Sequence, residues 1–156
     1  MADQPAKRVL DTTELYPRGL QDRAALDPLE RFVVAVIDLE CLADMEGWPH
    51  FFCSPASASF YPALRSGLAA VGDHASVSVL DDFETYLRGE GVAFAPEAIE
   101  DHLASLDDHA AEALPDWGER FAAATEERWR LIARHLRSQG IELLEASAAA
   151  EGTERR

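Results

Sequence analysis

His102, Asp108, His109 and Glu112 are residue types that bind metal ions, and all fall within one acidic stretch. If that stretch is a helix, His102 and His109 stand about two turns apart, and Glu112 follows His109 by less than one turn. A metal site also needs a third or fourth ligand from another element, and outer groups that orient the ligands. No Glu-x-x-His partner stands elsewhere in the chain, so surface histidines are the better reading and no metal is expected. His50 and Cys53 flank Phe51-Phe52 and suggest a thiol nucleophile with its base. Residues so close in the chain rarely face each other in those roles, and no carboxylate is placed to orient the histidine. Asp81-Asp82 and Asp107-Asp108 suggest paired carboxylates, but neighbours on a helix point about 100° apart. There is no GxGxxG, no Walker loop and no HExxH. The expectation is no catalytic residue, no cofactor and no enzyme activity.

Charge is the stronger signal. Between Asp38 and Glu119 the chain holds seventeen acids and two bases, Arg65 and Arg88. The totals are 29 acids and 14 bases, so twelve of each remain elsewhere and cancel. The net charge of −15 is therefore a local field on the middle of the chain. Such a field repels nucleic acid, attracts basic protein surfaces and weakens the compact state by self-repulsion. Direct nucleic-acid binding is not expected.

The elements that must carry these acids read as helices. Residues 1–22 lack sustained periodicity and include Pro5, Pro17 and Gly19, so an extended N-terminal arm is expected. Asp27-Pro28 supplies a cap and a first-turn proline for a helix running to about Glu46 and ended by Gly47. Its stretch Phe32–Ile37 is apolar almost all round, which marks a central helix. Gly47, Trp48, Phe51 and Phe52 belong to an aromatic connector interrupted by prolines. A helix from about Ser57 ends at Gly72, and Asp73 caps the next, which reaches about Arg88. Pro96 opens a helix to about Ala113. Leu114-Pro115 breaks the pattern, and a last helix runs from about Asp116 to Gly140. No strand hairpin and no internal repeat is present. The fold class is all-α: a single compact domain of about five or six helices over residues 23–145, with a flexible C-terminal tail at 146–156.

At 47 % apolar and 28 % charged residues, the composition is that of an ordinary globular domain. Two cysteines without a CxxC pair point to a reducing compartment. With no signal-peptide core and no apolar run long enough for a bilayer, a cytoplasmic protein without membrane contact is expected.

On the helix expected over 96–113, Glu97, Asp101, Asp108 and Glu112 share one face, a row about 22 Å long, with Glu100 and Asp107 beside it. Asp81, Asp82 and Glu84 form a second cluster, and Asp44 and Glu46 a third. Duplex DNA carries one negative charge per ~1.7 Å of axis, so carboxylate rows on rigid helices could approach phosphate geometry. The alternative is a solvated face that serves solubility. Arg130, Arg134 and Arg137 make a basic stripe on the last helix, which could meet the acidic middle within the fold or across a homodimer.

The connector and the segments after it resemble the DNA-mimic protein 19-like family. That family has an Asn-Gly-Gly-Phe-x-Gln-(Tyr/Phe)-Phe-x-Asn connector after an acidic helix, then a helix ending Ala-Leu-x-x-Ile-Gly, then a Leu-Asp pair. Here Gly47, Phe51 and Phe52 match, and Trp48 stands at the first aromatic. Leu68-Ala-Ala-Val71-Gly72 fits the helix end, Leu106-Asp107 fits the pair, and Phe83 lies between. Met45 and Glu46 replace the Asn-Gly, His50 the Gln and Ser54 the final Asn. The resemblance spans about Glu30 to Arg137. It implies an acidic helical protein that poses as duplex DNA and occupies the binding face of a DNA-binding protein such as a transcriptional regulator. The acids Asp44, Glu46, Asp81, Asp82, Glu84, Glu97, Glu100, Asp101, Asp107, Asp108 and Glu112 are the expected partner-binding face. An immunity or antitoxin protein blocking a basic toxin or nuclease would use the same charge, with Trp48 or Tyr61 as an exposed aromatic anchor.

Overall fold

A computed structural model describes residues 8–144. The chain is all-α apart from one small parallel sheet. In order it forms β1 (Arg8–Asp11), α1 (Thr12–Gln21), a 3-10 turn (Arg23–Ala25), α2 (Pro28–Met45), α3 (Pro49–Cys53) and α4 (Pro55–Ala58). Then come α5 (Tyr61–Val71), α6 (His74–Gly89), α7 (Pro96–Ala104), α8 (Asp108–Glu112), α9 (Trp117–Ala123), α10 (Thr125–Ser138) and β2 (Ile141–Leu144).

α2 is the axis of the core. Asp27 and Glu30 close a reciprocal cap: the Asp27 carboxylate accepts from the Glu30 N–H at 2.9 Å, and Glu30 accepts from the Asp27 N–H at 3.0 Å. Val33, Val34, Ala35, Val36 and Leu39 are fully buried, because α1, α3, α5 and α9 pack around them. Where α5 crosses α2, a Cβ on Gly67 would lie 2.0 Å from the Phe32 ring. The crossing therefore depends on glycine. Among the described residues no helix is long and apolar enough to cross a membrane.

Two expectations are corrected, the extended arm and the helix count. Residues 8–21 are not an extended arm but β1 and α1. Pro17 sits inside α1 without ending it. Gly19 is a packing position, where a Cβ would press on Leu26 and Val34 at 3.0–3.1 Å. The structure adds one strand pair that is not a hairpin: β1 and β2 run parallel, Arg8 opposite Ile141 through Asp11 opposite Leu144. Such pairing joins distant segments and leaves no hairpin turn in the sequence. Within the connector, Pro49 opens a short helix, α3. Lastly, there are more helices than five or six. The expected helix from Ser57 begins with the separate turn α4, the last divides at Ala124, and residues 96–113 divide at Ser105–Asp107. The expected tail at 146–156 lies outside the described residues.

Candidate partner-binding surface

The division of residues 96–113 changes the acidic surface most. Ser105 turns back, its hydroxyl donating to the His102 carbonyl at 2.6 Å. Asp107 then caps a new helix, its carboxylate accepting from the Ala110 N–H at 2.7 Å. Glu97, Glu100 and Asp101 therefore ride on α7, while Asp108 and Glu112 ride on α8. The single face expected for Glu97, Asp101, Asp108 and Glu112 does not form. Asp107 serves as a cap but stays exposed. α8 has no buried residue at all, so its acids stand on the outside of the fold.

The other clusters lie on other elements. Asp44 is on the last turn of α2 and Glu46 just beyond it, both exposed. Gly47 ends that helix with φ +103°, a backbone region that favours glycine, while its N–H donates to the Leu42 carbonyl at 2.9 Å. On α6, Asp81 and Glu84 both meet Arg65 of α5, Glu84 at 3.0 Å. Asp82 meets Arg120 of α9 at 2.7 Å. Among the described residues no ion pair engages Asp44, Glu46, Glu97, Glu100, Asp101, Asp108 or Glu112. Of the eleven acids expected at the surface, ten are exposed and Glu84 is half-buried.

The aromatic connector is core. Trp48, Phe51 and Phe52 are buried, and the Trp48 ring lies 5.3 to 5.9 Å from Phe52, Phe83 and Phe121. Trp48 is 4 % exposed and Tyr61 8 %, so neither offers an aromatic anchor. The aromatic that reaches solvent is Phe94, 43 % exposed, on the loop between α6 and α7.

His102 is held by Tyr86, whose hydroxyl lies 2.9 Å from Nε2, whereas His109 is exposed on α8. Among the described residues no group of three or more His, Cys, Asp and Glu gathers to hold a metal ion. Burial, and then the charge of Glu100, pushes the Cys53 thiol up. Burial, and then Glu40, Asp38 and Asp44, push the Cys41 thiol up as well. Both shifts favour the thiol over the nucleophilic thiolate.

Sequence reasoning gave no role to Arg128, which lies on the last helix. It is fully buried. Its guanidinium donates to Glu40 at 2.8 and 3.0 Å, to the Ser76 hydroxyl at 2.9 Å and to the Phe121 carbonyl at 2.9 Å. It also stacks 3.6 Å from the Phe121 ring centroid. Trp129 Nε1 donates to the same Glu40 carboxylate at 2.9 Å. A signal was present: Arg128 lies in the apolar stripe formed by Phe121, Ile132 and Leu136. Among the described residues the basic stripe makes no ion pair with the acidic middle within the fold: Arg130 pairs with Glu127 of its own helix, and Arg134 and Arg137 are exposed.

Among curated proteins and among solved structures, none matches the chain. The family model described as DMP19-like protein matches residues 24–139, which takes in every element from α2 through α10. The chain therefore belongs to the DMP19-like family.

Proposed function

We propose that the protein is a binding protein, not an enzyme, that presents carboxylates in the manner of duplex DNA and occupies the DNA-binding surface of a basic partner such as a transcriptional regulator. One observation carries this reading. Glu97, Glu100, Asp101, Asp108 and Glu112 are exposed on α7 and α8, and no described base pairs with them. Carboxylates kept free of internal partners are available to external lysines and arginines. Family membership supports the same direction. The burial of Trp48 and Tyr61 favours charge over an aromatic anchor as the basis of recognition.

The test is a pull-down from host lysate at low salt, followed by competition with duplex DNA. The bait is compared with a variant in which those five acids become amides. Mimicry requires a DNA-binding protein that is retained by the native chain alone, released by duplex, and released by salt. A complex that survives 1 M salt, or that the amide variant retains, sinks the reading. An immunity protein would instead hold a toxin or nuclease, and Phe94→Ala would weaken that complex strongly. Under mimicry Phe94→Ala changes affinity by less than about twofold.

A further inference from the structure

Between the end of α2 and the first turns of α9 lies a groove of about 500 Å³. Ala43, Gly118, Phe121 and Ala122 give it small or apolar walls. Met45 also lines it and is 78 % exposed, far more than any other large apolar side chain among the described residues. A thioether on an unbranched stem adapts to many contact shapes and is common on binding surfaces. Two exposed carboxylates, Asp44 and Glu119, line the same groove. No described base pairs with either of them. Glu40 reaches the groove as well, but its carboxylate already accepts from Arg128 and Trp129.

We propose that this groove seats an arginine of the basic partner, with its methylene stem against Met45 and Ala122 and its guanidinium on the carboxylates of Asp44 and Glu119. This rests on the reading that the acidic surface binds a basic protein. An apolar trough edged by acids matches a side chain with an apolar stem and a charged head. Arginine suits it better than lysine, because a planar fork can address two carboxylates and also lie flat on apolar surface. Inside the fold, Arg128 already combines an acid and an aromatic ring in this way, on Glu40 and Phe121. Glu119 also gains from a visiting cation. A hydrogen bond from the Glu119 carboxyl to Asp116, and then the Asp116 charge, hold Glu119 above its ordinary range. Sequence reading places Asp44 on the surface for its charge alone, and gives Met45 and Glu119 no binding role.

The test uses an octa-arginine peptide titrated into the 15N-labelled full chain at low salt. The expected result is saturable amide shifts centred on Asp44, Met45, Gly118 and Glu119. Asp44→Asn with Glu119→Gln should weaken binding about three- to tenfold, as expected for two solvent-exposed charge contacts. Met45→Ala should weaken it about threefold through lost apolar contact without changing the salt dependence. All three side chains are exposed, and thermal melts confirm that each variant is folded. If the groove variants leave affinity within about twofold while amides on α7 and α8 abolish it, the groove assignment falls and the acidic-surface reading stands. If the peptide shows no saturable binding to the native chain, both fall.

Discussion

The acids of α6 and those of α7 and α8 come from adjoining stretches of sequence, yet the fold uses them differently. Asp81, Asp82 and Glu84 face arginines of α5 and α9 and tie three helices together. Glu97, Glu100, Asp101, Asp108 and Glu112 meet no described base. Some of this chain's negative charge is therefore used inside the molecule, and the remainder faces outward. Net charge alone does not separate the two, because separating them requires knowing which arginines lie across each helix. Internal partners reach furthest at Arg128, where one buried guanidinium joins α2, α6, α9 and α10.

The two sets of charges answer to different measurements. Arg128→Ala should destabilise the fold by about 3–5 kcal/mol in urea unfolding, because it strands the Glu40 carboxylate without its buried partner. A loss below about 1 kcal/mol would show that the network contributes little. Converting the five acids of α7 and α8 to amides should do the reverse. Stability should move by no more than about 0.5 kcal/mol per substitution, and upward where self-repulsion falls. Affinity for a basic partner should fall by about tenfold or more at low salt. Arg65→Ala sits between these cases. Losing two partly exposed pairs should cost about 1 kcal/mol, and it frees Asp81 and Glu84 to strengthen binding of a cationic partner. Unchanged binding would mean that α6 lies off the contact surface.

The smallest effect concerns another acid held inside. Tyr16 donates to Asp38 at 3.1 Å. Burial first, and the Asp38 charge second, push the phenol up to about 12. The folded chain thus keeps a proton that the unfolded chain releases near pH 10. This contribution is intact below about pH 10 and is lost as pH rises toward about 12. Tyr16→Phe should flatten the alkaline limb of a stability–pH curve. A curve that falls just as steeply in the variant would rule out this phenol as a source.

Helix starts were legible where their signals are local. Asp27 and Asp73 act as the caps the sequence placed there, and a helix does start at Asp116. Asp107 carries the same kind of signal, but Leu103 and Leu106 mask it by continuing an apolar rhythm up to the break. The exposure of the outward acids was legible too, since charged side chains seldom bury unpaired. The pairing of Arg65 and Arg120 with α6 was not, because it depends on how whole helices cross. The groove beside Met45 was hidden for the same reason: α2 and α9 are far apart in sequence, and their approach leaves no mark in either segment.

The parallel register of β1 and β2 bears on the order of events in folding. The first described strand finds its partner in the last, so no ribosome-bound fragment lacking Ile141–Leu144 can complete the pair. Closing so long a loop is entropically costly until the intervening helices have collapsed and brought its ends together. The pairing should therefore act as a latch that forms late, with hydrogen exchange at Leu10 and Leu143 reporting when the chain has closed.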